Sequence, residues 1–153
     1  MIYLLDTDIF IVLLRGTGIR NPRTKRERTV HAAAGLILGR CRERAGRGDD
    51  VGLSAISLAE LEYGARRSGR YEQNLRACRQ TLEPFESFAF DPVFCVQHYG
   101  IVRSELEFRG TPIGPLDTLI AAHALALDAT LVSHNVKEFG RIRQIRLEDW
   151  SEK

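Results

Sequence analysis

The chain has 153 residues, 44% hydrophobic and 27% charged, with a formal net charge of +2. That balance excludes a disordered chain and is enough for one domain with a sizeable core. No apolar run reaches the roughly 20 residues that span a bilayer, the start MIYLLDTDIF lacks the basic region of a secretion signal, and three scattered cysteines with no CxxC pair fit reduced thiols in a cytoplasmic protein.

Ile2 to Leu5 is an unbroken apolar run closing on Asp6, the pattern of a central strand covered on both faces. Thr7 or Asp8 can cap a following helix whose apolar residues run from Ile9 to Leu14, ended by Gly16-Thr17-Gly18. Residues 19–29, polar and basic with Pro22, read as a loop, and a helix follows from Val30 to about Ala45. Residues 20–47 hold nine Lys/Arg against two Glu, a local net of +7, which leaves about −5 for the rest of the chain. A basic segment beside an acidic body fits a polyanionic partner near a metal-binding centre, although a solvated surface helix explains the charge equally well.

Val51 to Ser54 is the second expected strand, and a helix runs from Ser57 to about Arg67. Gly69 and Pro84 bracket a helix from Tyr71 to Leu82. Phe85 to Phe90 reads as a third strand, and Pro92 starts a helix reaching Phe108 and ended by Gly110. Pro115 is well placed as the first residue of an Ala-rich helix, with Asp117 in its first turn, where the positive end of the helix dipole favours a carboxylate. Thr130-Leu131-Val132 is a short buried strand that Ser133-His134-Asn135 ends. A last strand lies near Ile142 to Leu147, with Trp150 as a terminal anchor.

Strands alternating with helices predict an α/β fold, a three-layer α/β/α sandwich with a mostly parallel central sheet. Ligands in such sheets gather at the carboxyl ends of the strands, near the switch in strand order. Asp6, Glu60 and Asn135 fall on that edge by topology, and Asp117 joins them if its helix starts there. Acidic oxygens converging on one edge favour a hard cation, Mg²⁺ or Mn²⁺, over full ionisation in isolation. Each residue also has a plain structural explanation: Asp6 or Asp8 as a helix cap, Ser57-x-x-Glu60 as a capping box, Asp117 on the dipole, Asn135 in a turn. His123, inside the Ala-rich helix, reads as packed, and His134 lies near the edge. No GxSxG, Walker loop or GxGxxG occurs.

LLDTDIF at the start, SAISLAELEYGARRS in the middle, GTPIGPLDTLIAAHALALDATLVSHNVKEF and the closing IRLEDW together resemble the PIN-domain family, and within it the VapC-type toxins of toxin–antitoxin pairs. The resemblance spans nearly the whole chain. It implies a PIN-like nuclease domain over residues 1–153, a metal-dependent endoribonuclease acting on RNA, usually homodimeric and held inactive by a cognate antitoxin. It places carboxylates that bind Mg²⁺ or Mn²⁺ on Asp6, Glu60 and Asp117, with Asn135 completing the catalytic set where many relatives carry a fourth acid. Glu62 matches a variable position. The chain departs from the family in being longer between its first helix and second strand, which marks a basic inserted segment at about 16–48. Two other readings stand beside this one. A non-catalytic RNA- or protein-binding module would keep the fold. An aspartyl-phosphate phosphatase would share Asp6-Thr7-Asp8 but expects a hydroxyl residue where this chain has Phe10.

Overall fold

Strand β1 (Ile2–Leu5) lies at the centre of the sheet because its side chains are apolar on both faces, and Tyr3, Leu4 and Leu5 are all buried. In the computed structural model, which describes residues 1–152, it is joined by β2 (Asp50–Ser54), β3 (Glu86–Phe88), β4 (Thr130–Val132) and β5 (Arg146–Glu148). The order is β3-β2-β1-β4-β5, and all four pairings are parallel. Chain order therefore reverses at β1, which places the switch point between β1 and β4.

The two-residue period of the strands divides the core in two. Tyr3, Leu5, Leu53 and Val132 face α1 (Thr7–Thr17) and α2 (Lys25–Gly46). Leu4 and Leu131 face α5 (Phe94–Phe108) and α6 (Pro115–Ala126), together with Phe139 from the short α7 (Val136–Phe139). Helices α3 (Ala55–Arg67) and α4 (Tyr71–Leu82) follow β2. Trp150 is the expected anchor: it is buried, its ring centroid lies 5.3 Å from that of Tyr3, and its Nε1 donates to Glu148 Oε2 at 2.7 Å. Where α1 crosses α2, a Cβ on Gly16 would collide with Ala34, so only glycine allows this approach.

The α4 and β4 boundaries and the start of α6 match the sequence reading; β3 is shorter than Phe85–Phe90, α5 starts after Pro92, β5 lies later than Ile142–Leu147, and the starts of α1, α2 and α3 differ for identifiable reasons. The polar stretch read as a loop is half helical: α2 begins at Lys25, because Thr24 and Glu27 form a reciprocal capping box. Helix α3 begins at Ala55 and not at Ser57; Ser54 caps it, accepting from the Ile56 N–H at 3.0 Å. Asp6 itself caps α1, accepting from the Thr7 N–H, where Thr7 or Asp8 was expected to.

Candidate active site at the carboxyl edge of the sheet

Asp6 leaves β1 at the switch point, where its N–H bonds to Val132 O of β4 at 2.9 Å. Its side chain is 4% exposed and ringed by donors: Oδ1 accepts from the Thr7 N–H at 2.7 Å and Oδ2 from the Ser133 hydroxyl at 2.8 Å. These bonds stabilise the ionised form, yet burial outweighs them, and the nearby Asp8 and Asp117 charges add to it. The carboxyl is pushed up from 3.8 to about 6.

Asp117 arrives from the other direction. Gly114 and Pro115 turn the chain into α6, and Asp117 sits in that helix's first turn, half-buried. Burial, then the charges of Glu138, Glu60 and Asp8, push its carboxyl up to about 6 as well. Glu60, half-buried on α3, accepts from Thr7 Oγ1 at 2.5 Å, which ties it to the residue beside Asp6. The structure thus brings Asp6, Glu60 and Asp117 to one edge.

Asn135 is linked to this edge less directly. Its N–H donates to Ser133 Oγ at 3.0 Å, the same hydroxyl that donates to Asp6. Its amide nitrogen points to Glu138 Oε2, 3.4 Å away. His123 is packed, as expected: it is fully buried, with Nδ1 2.8 Å from the Ser54 hydroxyl and its ring edge-on to Phe90, and burial holds it below the usual histidine range. His134 is exposed and lines a hollow with Val12 and Leu36 of the α1–α2 layer, together with Asp149.

Four participants escaped the sequence reading. Asp8 and Thr7 were weighed only as caps or within the loop of the phosphatase alternative, and Ser133 only as the end of a strand. Glu138, on an unforeseen helix, was not weighed at all; its one signal is the Asn135-x-x-Glu138 spacing of a helix start. The capping box at Ser57 is overturned. Ser57 Oγ is buried without a hydrogen-bond partner, so Glu60 owes nothing to a cap there.

The donor set is all oxygen and includes two carboxyls held at about 6, at a site where like charges repel. A hard divalent cation fits that chemistry. Among the described residues no group of three or more histidines, cysteines or acids stands so as to hold a metal ion by itself. Mg²⁺ needs no such complete set, because it keeps several waters and takes one or two carboxylates along with substrate phosphate.

The PIN domain model matches residues 3–144. Ribonuclease VapC1 of Haemophilus influenzae is 36% identical over 151 residues, covering 99% of each chain. The tRNA(fMet)-specific endonuclease VapC of Salmonella typhimurium is 41% identical over 98 residues, which are 64% of this chain and 74% of that protein, so that relative is shorter. Among solved structures, VapBC2 from Rickettsia felis bound to a promoter DNA fragment superposes with a TM-score of 0.80 at 35% identity, over 98% of this chain and 99% of the other. With the fold, the acidic edge and nearly the whole length in agreement, the chain belongs to the PIN-domain family, among its VapC ribonucleases.

Proposed function

We infer that this chain is the endoribonuclease toxin of a VapBC-type toxin–antitoxin pair, cutting RNA phosphodiester bonds with Mg²⁺ or Mn²⁺ held by Asp6, Glu60 and Asp117. The observation that carries the reading is the pair of carboxyls, Asp6 and Asp117, raised to about 6 by burial and by neighbouring carboxylates at the strand-order switch. When bound, the ion offsets charge on the phosphate oxygens and lowers the pKa of a water.

The protein's own groups prepare the rest. Ser133 and the Thr7 N–H fix the rotamer of Asp6, so both of its oxygens have set directions. The Thr7 hydroxyl holds one oxygen of Glu60 and leaves the other free. Asn135, braced through Ser133, contributes its amide oxygen directly or through a water. A carboxylate of the set accepts the proton of the attacking water; Asp117, the more open of the two raised acids, has a pKa near working pH and is suited to that task.

The related proteins support RNA as substrate, structured tRNA among the candidates, and the solved VapBC assemblies support an antitoxin partner. An apolar groove of about 390 Å³ between α1, α3 and α4, lined by Ile11, Leu14, Leu61 and Cys78, includes Glu60 in its lining. A partner segment laid in it reaches the acidic edge. The exposed cations of the basic stretch at about 16–48 are available to phosphates. Among the described residues no helix is long and apolar enough to cross a membrane, which accords with action on cytoplasmic RNA.

The test is single-turnover cleavage of a panel of tRNAs and structured RNAs with Mg²⁺, Mn²⁺ or EDTA. Cleavage that needs the metal and is lost in Asp117→Asn is expected. Binding without metal-dependent cleavage would favour a non-catalytic module instead.

A further inference from the structure

On the β4–β5 side of the sheet, at its carboxyl edge, lies a hollow of about 620 Å³. One wall is apolar, made by Val12 of α1 and by Val30, Ala33 and Leu36 of α2. The other wall holds His134, just after β4, and Asp149, just after β5. The Ser133 N–H bonds to Glu148 O at 3.0 Å, which ties together the two chain segments that carry these residues. Buried Trp150, packed on Tyr3, fixes the backbone between Asp149 and Ser151. Asp149 Oδ1 accepts from the Ser151 N–H at 2.8 Å and from the Ser151 hydroxyl at 2.6 Å. The local turn is satisfied by that one oxygen, which leaves Oδ2 as an acceptor the fold does not use.

Charge around the hollow is sorted by sign. Asp149 and Glu152 are in its lining. Lys25, Arg26 and Arg40, all exposed, fall by helical spacing on the same face of α2 as Ala33 and Leu36, where they flank the apolar wall. An interior of carboxylates and apolar surface rejects a phosphate, and a cationic rim attracts one. A nucleotide meets both demands when its base points in and its phosphates stay at the rim. The hollow also continues the acidic edge: His134 follows Ser133, whose hydroxyl donates to Asp6 at 2.8 Å. We propose that the hollow is a base-specificity subsite. It takes one unpaired base of the RNA, from a nucleotide flanking the cleaved bond, with His134 stacked on its face and Asp149 Oδ2 accepting from its exocyclic amino group. Unpaired bases are read in this way, by a stacking ring and by hydrogen bonds to their edges.

An ionised Asp149 accepts and does not donate, so it favours the amino group of cytosine and disfavours the carbonyl that uracil carries at the same ring position. Asp149→Asn keeps Oδ1 for Ser151 and puts a donor in place of Oδ2, which reverses that preference. A residue that only braced the turn would produce no reversal. The subsite rests on the ribonuclease reading, yet the two fail separately. Metal-dependent cleavage without any base preference would remove the subsite alone, and a base preference in binding without cleavage would remove the ribonuclease reading alone.

The experiment is fluorescence anisotropy with two fluorescein-labelled RNA pentamers, UUCUU and UUUUU, in EDTA and at low salt, so that binding is read without cleavage. The parent should bind UUCUU about tenfold more tightly than UUUUU, the worth of one hydrogen bond to a charged acceptor. Asp149→Asn, folded by circular dichroism, should bind UUUUU the more tightly of the two. His134 is exposed, so its replacement leaves the fold intact. His134→Ala should weaken UUCUU by about tenfold through lost stacking, and His134→Phe should restore it. Equal affinity of the parent for the two pentamers, as expected if the hollow receives a protein segment instead, would overturn the proposal. So would the absence of binding to either pentamer, or a preference for cytosine that survives in Asp149→Asn.

Discussion

Glu60 and Glu62 stand two residues apart on the same helix and have opposite surroundings. Glu62 Oε1 accepts from the Tyr71 hydroxyl and from Arg66 Nε, both at 2.8 Å, and these bonds hold its carboxyl below the usual range. Glu60 has one hydroxyl partner and faces an edge shared with Asp6 and Asp117, and its charge helps to hold Asp117 up. One acid ties α3 to α4; the other belongs to a cluster that forms no salt bridge among the described residues. Carboxylates that serve the fold are paired, and those at the sheet edge stay in mutual conflict.

The largest effect expected from breaking this contrast is on catalysis. Glu60→Gln keeps the Thr7 hydrogen bond and the side-chain shape but removes the charge, so RNA cleavage should fall by at least about 100-fold, roughly 2.7 kcal/mol of barrier. Glu62→Gln should stay within about threefold, a barrier change of roughly 0.6 kcal/mol. Single-turnover rates of the two variants, side by side, decide between the roles. Equal losses would erase the distinction.

The next effect is a pH dependence opposite in sign to ordinary acid denaturation. Asp6 titrates near 6 in the folded chain and near 3.8 when unfolded. Between these values the folded state retains a proton that the unfolded state has released, so this group's stabilisation is full below about pH 4 and is lost as pH rises through 6. The loss is of order 3 kcal/mol for this buried carboxyl. Paired acids such as Glu62 pull the other way at low pH, so the quantity to measure is the difference between parent and Asp6→Asn in urea melts from pH 4 to 7.5. Asp6→Asn should be the more stable protein above pH 6 without metal, and millimolar Mg²⁺ or Mn²⁺ should close the gap by stabilising the parent alone. A parent that is more stable than Asp6→Asn at pH 7.5 without metal would contradict the clustering.

Two serines three residues apart give the third comparison. Ser54→Ala removes a helix cap and the hydroxyl bonded to His123, and should cost about 1–2 kcal/mol. Ser57→Ala removes a buried hydroxyl with no partner and should be neutral or slightly stabilising in the same melts. Smallest of all is the basic helix: replacing Lys25, Arg26, Arg40 and Arg42, all exposed, by Gln should flatten the salt dependence of RNA binding by roughly 0.7 log unit per lost contact with a single strand. An unchanged slope would remove phosphate contact from the roles of α2.

Those serines also show where sequence reading reached its limit. Ser54 and Ser57 both fit a cap followed by a helix, and only the Ile56 N–H bonding to Ser54 and the partnerless buried hydroxyl of Ser57 decide between them. Strong punctuation was legible: Gly69 and Pro84 bracketed α4, and Pro115 opened α6. The start of α2 was not, because its first turn holds no apolar residue and its signal is the side-chain reciprocity of Thr24 and Glu27. The three acids could be assigned to one edge by topology. Asp8, Ser133 and Glu138 could not, since their importance lies in through-space contacts that no local pattern encodes.

The bond from Ser133 to Asp6 joins residues 127 positions apart in the chain. During synthesis β1 is made well before its neighbour β4, so this edge of the sheet cannot close until the chain has grown past Ser133. Loop closure over that separation is slow and must precede the contacts that reward it. A nascent chain therefore carries Asp6 without the partner that orients it. For a protein that cleaves RNA, this order of synthesis leaves the acidic edge unassembled until both neighbouring strands are present.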